Sequence, residues 1–109
     1  METLSVITIC FNNLNALQQT CASVDSQTLT PYEHYIIDGS NNDTISHWLQ
    51  HTPQPKYRKW LCEKDNGISD AFNKGIALTT GSLIHLLNAA DIYNSAEVIE
   101  KVLSFFNLQ

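Results

Sequence analysis

Four short apolar runs divide this chain, and the stretches between them decide what it can fold into. LSVITIC (4–10), HYIID (34–38), YRKWLC (57–62) and SLIHLL (82–87) each read as a strand. LSVITIC is almost continuously apolar, as a strand covered on both faces must be. YRKWLC is the least apolar and reads as a sheet edge. The intervening stretches carry helical spacing rather than hairpin turns. Leu14, Leu17, Cys21 and Val24 form one apolar stripe behind an N-cap at Asn13. Ile45, Trp48 and Leu49 form a shorter one, capped by Asp43 and stopped by Pro53. Ile68, Phe72, Ile76 and Thr79 predict a helix over 68–80, with Gly81 as its stop. Val98, Ile99, Val102, Leu103 and Phe106 predict the last helix, opened by a capping box of Asn94 and Glu97.

Strands separated by helical crossovers return parallel, so the order βαβαβαβα predicts an α/β domain spanning 1–109. The expected architecture is a Rossmann-like three-layer sandwich around a mainly parallel sheet. A chain of 109 residues buries roughly 60–70% of its unfolded surface, enough for a core without staples. The three cysteines, Cys10, Cys21 and Cys62, are widely spaced and form no C-x-x-C pair, which points to reduced thiols rather than a disulfide framework or zinc ribbon. METLSVITIC has no basic leader region, and no apolar run approaches the roughly 18 residues of a spanning helix. The expected setting is cytoplasmic, including a peripheral position at the inner face of a membrane.

Six basic residues against eleven acidic ones give a net charge of −5, which argues against a nucleic-acid polymer as partner. An anionic small ligand then needs a local lysine, a helix N-terminus or a metal ion. In open parallel sheets, ligands bind beyond the carboxyl ends of the strands. Those ends here are Phe11-Asn12-Asn13, Asp38-Gly39-Ser40, Glu63 to Gly67 and Asn88 to Asp91. The first turn, CFNNLN, has no glycine, which weighs against a dinucleotide fingerprint or a P-loop. Without acids there, it also lacks the mark of a phospho-acceptor receiver. What it offers is Phe11, whose ring either stacks on a flat base or faces the core. Asp38 either accepts an imide N–H or serves a turn. In LIHLLNAAD (83–91), Asp91 stands just past a strand end, as an ion ligand or as the polar stop of the strand.

Taken together, SVITICFNN, YIIDGSNNDT, EKDNGISDAFNKGIALTTG and LLNAAD, in that order, resemble the N-terminal half of a family 2 glycosyltransferase of the GT-A fold. The resemblance covers nearly the whole chain, and its most specific block is D-x-G-x-x-D-A-x-N-K-G-I-x-x-x-x-G. It implies a nucleotide-sugar donor, commonly a UDP-sugar, with a divalent Mn or Mg ion, and a role in cell-surface polysaccharide or glycoconjugate synthesis. It places Thr8 and Phe11 in the base pocket, with Asp38 on the uracil imide and Asp65 on the nucleoside side. Asp70, Asn73 and Lys74 would border the ribose and diphosphate, and Asp91 would bind the metal. The bland alternatives are helix–sheet packing for Asn73 and Gly75, and a solvated helix position for Lys74. His47 and His51 read as surface residues of the second helix, and His85 as a satisfied core histidine.

The sequence departs from that family twice. Ala90 stands where an acid is usual, and one lost charged hydrogen bond costs on the order of 1.5–3 kcal/mol. Metal binding survives in principle, because magnesium is held by one or two carboxylates plus substrate phosphates and water, and manganese uses similar oxygen ligands. The chain also ends at Gln109, before the acceptor half in which the resemblance places the base of an inverting transfer. Past Asp91 only Glu97 and Glu100 offer carboxylates, on a helix face that suits solvent, so transfer by this chain alone is not expected. The alternative is a truncated or degenerate relative that binds nucleotide or a protein partner. The apolar strand 82–87 would then lie at an edge and seek a second copy or a partner chain.

Overall fold

The structure, a computed structural model, describes residues 1–108. Its elements run β1 (Leu4–Cys10), α1 (Leu14–Asp25), β2 (Glu33–Asp38), α2 (Thr44–His51), β3 (Arg58–Cys62), α3 (Ile68–Leu78), β4 (Leu83–Leu86) and α4 (Val98–Asn107). The four strands pair in parallel in the order β3-β2-β1-β4, so β3 lies at one edge, as its polarity predicts, and β4 at the other.

Strand alternation sorts the core into layers. Leu4, Val6 and Cys10 of β1, with Ile36 of β2, pack toward α1, α2 and α4 through Leu17, Cys21, Val24, Ile45, Leu49 and Ile99. Ile7 and Ile37 point the other way and meet Ala71 of α3. The result is a three-layer α/β/α sandwich, and both faces of β1 and β2 are dry. Burying an isoleucine or leucine of this kind contributes about 1.5–3 kcal/mol, so the central pair of strands anchors the fold.

Helix α3 lies close to the sheet because Gly75 has no side chain. A β-carbon there would come 2.5 Å from Ile7 Cγ2. Gly81 acts by close approach too. Its N–H donates to Ser5 Oγ at 2.9 Å, and a β-carbon would fall 2.3 Å from that oxygen. It is therefore not the stop of α3, which ends at Leu78 with Thr79 extended.

Helix starts follow the sequence reading at one end of the chain and depart from it at the other. Asn13 Oδ1 accepts Ala16 N–H at 3.0 Å, as an N-cap should. Asp43 occupies the N-cap position of α2 without a side-chain bond; Asn42 Oδ1 accepts Thr44 N–H instead. The capping box of Asn94 and Glu97 does not form. Helix α4 starts at Val98, and its Ile99 N–H is taken by Gln27 Oε1 at 3.1 Å, from beyond the end of α1. A contact between residues so distant in sequence replaces the local one. Among the described residues, no helix is long and apolar enough to cross a membrane.

Candidate functional site

A cleft of about 580 Å³ opens at the carboxyl ends of β1 and β4, where a parallel sheet leaves space between diverging connections. Ile9, Cys10, Phe11, Asn13 and Ala16 form one wall. Asp65, Gly67, Ile68 and Ala71 form another, and Asn88, Ala89 and Ala90 close the corner. Phe11 is 60% exposed and Ile68 67%, so two large apolar side chains project at its mouth rather than into the core.

Asp65 is held in place from two sides. Its Oδ1 accepts Gly67 N–H at 3.0 Å, and its carboxylate rests on Gly39, where a β-carbon would come within 2.0 Å of Oδ2. Gly67 itself has φ 109°, a conformation suited to glycine. Together these let the 63–67 connection fold tightly onto the end of β2 and put the start of α3, Gly67 and Ile68, on the cleft wall.

The β1–α1 connection is fastened to the β2–α2 connection by Asn12. Its N–H donates to Ser40 Oγ at 2.7 Å and its Nδ2 to Asn41 Oδ1 at 2.8 Å. In return, Asn41 N–H and Asn42 Nδ2 donate to Asn12 Oδ1 at 3.1 and 3.2 Å. The sequence reading does not single out Asn12, although a run of two asparagines straight after a strand is a recognisable turn signal.

Thr8 does not reach the cleft. It is fully buried, and its hydroxyl bonds His34 Nε2 at 2.8 Å inside the α1–α2 face. The wall is built from the strand end beyond it, Ile9, Cys10 and Phe11. Asp38 is 3% exposed, and its Oδ1 accepts both the N–H and the hydroxyl of Ser40, at 3.0 and 2.5 Å. It ends β2 between Cys10 and Cys62, its register partners on either side. Burial raises the Cys10 thiol, and partial desolvation with the adjacent Asp38 carboxylate raises the otherwise exposed Cys62 to about 11, so neither is a ready nucleophile.

Asp70 and Lys74 brace the cleft's outer loop. Asp70 Oδ2 accepts Asn66 N–H at 2.9 Å, and that bond, with help from Lys74, holds its carboxyl below the usual range. Lys74 Nζ donates to Lys64 carbonyl at 2.8 Å and pairs with Glu63 at 3.1 Å and Asp70 at 3.5 Å. Asn73 is exposed on the same helix. None of the three is among the residues lining the cleft.

At the β4 end, Asp91 is exposed and its Oδ2 accepts Asn88 N–H at 3.2 Å, closing the turn that ends the strand. The residue just before it, Ala90, lines the cleft with Asn88 and Ala89 and has φ 80°. Asp91 borders a neighbouring hollow with His85 and Tyr93. His85 is half-buried and shares a 2.8 Å hydrogen bond with Tyr93 Oη, as a satisfied histidine should. His47 and His51 stack on the exposed side of α2 with ring centroids 4.1 Å apart. Among the described residues, no three His, Cys, Asp or Glu side chains are placed to share a metal ion. A divalent ion here would have to be shared, with at most one carboxylate from this corner, such as Asp91, and a ligand's phosphates and water supplying the rest.

Residues 5–108 match the family model described as glycosyl transferase family 2. An uncharacterised glycosyltransferase of Mycobacterium tuberculosis is 40% identical over 98 residues, which cover 89% of this chain and 37% of that protein. A second, of Rickettsia bellii, is 28% identical over 83% of this chain and 13% of its own length. The chain therefore spans well under half of the curated relatives it matches. Among solved structures, the mannosyltransferase PcManGT from Pyrobaculum calidifontis, in complex with GDP-Man and Mn2+, superposes with a TM-score of 0.79 at 16% identity, over 96% of this chain and 32% of that one. TarS of S. aureus superposes with a TM-score of 0.78 at 17% identity, over 97% and 20%. The α/β sandwich is the GT-A arrangement of those enzymes.

Proposed function

The chain belongs to glycosyl transferase family 2, and from that premise we propose that it forms the donor-binding half of a metal-assisted sugar transfer. The donor is a nucleotide-sugar, a UDP-sugar by preference, and the acceptor a cell-surface polysaccharide or glycoconjugate, with the chain on the cytoplasmic side. The observation that carries this reading is the cleft at the ends of β1 and β4, which gathers Phe11, Asp65, the start of α3 and the Asn88–Ala90 corner around one space, with Asp91 next in the chain.

Each feature has a task. The exposed ring of Phe11 offers a stacking face to the base. Asp65, fixed by Gly67 and Gly39, accepts hydrogen bonds from the nucleoside. Asp38 faces the imide only by sharing a carboxylate already engaged by Ser40. In a chain of net charge −5, the amide-bearing start of α3 supplies local positive potential toward a diphosphate. Asp70 and Lys74 act mainly by bracing that helix start, and Asn73, exposed on the same helix, borders the ribose and diphosphate. A divalent ion, Mn or Mg, shared with Asp91 would supply neutralisation of the leaving diphosphate.

A second reading is a donor-binding or protein-binding module without transfer. It is favoured by Ala90 occupying the cleft position where the family resemblance leads one to expect an acid, while Asp91 is spent partly on its own turn. The exposed Ile84 and Leu86 on the free edge of β4 suit association with a second copy or a partner chain. Sedimentation over a dilution series tests that association, and strictly monomeric behaviour counts against it. Calorimetric titration with UDP and GDP, with and without Mn, tests the nucleotide reading. Metal-dependent binding that weakens in Asp91→Ala supports it; no binding of either nucleotide sinks it.

A further inference from the structure

Among the described residues only two non-glycine residues have positive φ, Asn12 (φ 52°) and Ala90 (φ 80°), and both stand at the rim of the cleft. Ala90 lines it directly, and Asn12 sits between the lining residues Phe11 and Asn13. Asparagine tolerates left-handed backbone better than other side-chain-bearing residues, but such a residue still needs surrounding structure to hold it. Here that structure is the four hydrogen bonds Asn12 makes to Ser40, Asn41 and Asn42.

Phe11 needs an external constraint. It belongs to none of the three core clusters and is 60% exposed, so packing does not fix its ring. Its direction is set by the backbone that turns immediately after it. A left-handed residue at position 12, tied by main chain and side chain to the neighbouring connection, fixes that turn. An aromatic held ready loses less freedom when a base stacks on it.

We propose that Asn12 is the positioning residue for the donor base, acting through Phe11 and not by touching the ligand. This rests on the nucleotide-binding reading above. It assigns a role to the β2–α2 connection as well: Ser40, Asn41 and Asn42 are the fixed points against which the aromatic wall is set.

The test is titration of UDP and GDP with Mn on the wild-type chain, Phe11→Ala, Asn12→Gly, Asn12→Asp and the Phe11→Ala/Asn12→Gly pair. Glycine keeps the backbone conformation and loses the side-chain bridge. Its expected effect is a Kd raised roughly three- to tenfold, the scale of one aromatic contact. In the Phe11→Ala background the same change should add nothing. Asn12→Asp keeps the oxygen that receives Asn41 N–H and Asn42 Nδ2. A flip of the Asn41 side-chain amide lets its Nδ2 donate to the second carboxylate oxygen, so this variant should stay closer to wild type than Asn12→Gly. Exchange of the Asn41 amide, which donates to Asn12 Oδ1, protected in wild type and fast in Asn12→Gly, reports the bridge without any nucleotide. Wild-type affinity in Asn12→Gly, a full loss that persists without the Phe11 ring, or an unprotected wild-type Asn41 amide would each overturn the proposal alone. A wild-type chain that binds neither nucleotide overturns the donor reading and this proposal with it.

Discussion

The carboxylate of Asp65 lies directly against the backbone of Gly39, close enough that a β-carbon there would come within 2.0 Å of Asp65 Oδ2. Since the other oxygen is pinned by Gly67 N–H, the side chain has little room to retreat without breaking that bond. Gly39→Ala should therefore act on the site more than on the fold. We expect a stability loss of about 1 kcal/mol, together with the same loss of nucleotide affinity as Asp65→Ala. Combined, the two substitutions should cost no more affinity than either alone. Denaturant melts and calorimetry on the four proteins check this; additive losses of affinity would show that Gly39 acts elsewhere.

Gly75 gives the opposite balance. Alanine is favoured over glycine in a helix by about 1 kcal/mol, so on propensity alone Gly75→Ala should stabilise. Its β-carbon would instead meet Ile7 Cγ2 at 2.5 Å and Ile7 Cδ1 at 3.2 Å, in a core clamped between α3 and the sheet. We expect overpacking to win, with a net loss of roughly 1–3 kcal/mol. A rise in the denaturation midpoint would show that α3 can move away from the sheet at little cost.

These two glycines mark how much the sequence discloses. All four strands and four helices are legible because each has its own apolar period, and parallel order follows from the crossovers alone. Gly75 is flagged in the sequence by the block it sits in, and packing against the sheet is the simple reading that the structure bears out. Gly39 carries no such signal, because its partner Asp65 lies on a different connection. The start of α4 is missed for the same reason. Gln27 supplies by tertiary contact what Asn94 and Glu97 were positioned to supply locally. Thr8 is assigned to the pocket by resemblance, yet the structure buries it against His34, a partner on the neighbouring strand. Local chemistry reads well from sequence; which loop leans on which does not.

His34 provides a pH test of the buried side of the sheet. Its Nδ1 faces the Arg58 guanidinium at 3.2–3.3 Å, and a guanidinium can only donate, so the ring proton sits on Nε2 and points to Thr8 Oγ1. Burial first, then the Arg58 charge, push the imidazole down to about 3. The unfolded chain binds this proton near pH 6.5 and the folded chain does not, so stability is intact above 6.5 and falls as pH drops toward 3. Between pH 6.5 and 5, above the carboxylate range, His34 contributes a slope of at most about 1.4 kcal/mol per pH unit. Half-buried His85, also held below its usual value by burial, adds to it with the same sign. His34→Gln can accept from Arg58 and donate to Thr8 without titrating. It should reduce the slope in that window even if it lowers overall stability. An equal slope in both proteins would assign the acid sensitivity to another group.

Ala90 is the position where the site can be strengthened. It lines the cleft with φ 80°, a conformation that costs alanine on the order of 1 kcal/mol and that glycine accepts freely. Ala90→Gly should therefore raise stability by about that amount, provided its N–H keeps its 3.1 Å bond to the Ala16 carbonyl. Ala90→Asp should do more. Aspartate tolerates left-handed backbone better than alanine and would place a second carboxylate beside Asp91. A magnesium or manganese ion shared with a diphosphate would then have two protein ligands, the upper end of the usual number. We expect metal-dependent nucleotide binding to tighten roughly tenfold or more, the scale of one restored charged contact, with little change when metal is withheld. Glycine at the same position separates the two effects: it relieves the backbone without adding a ligand. If Ala90→Gly tightened metal-dependent binding as much as Ala90→Asp, the gain would come from the relaxed turn and not from the added carboxylate.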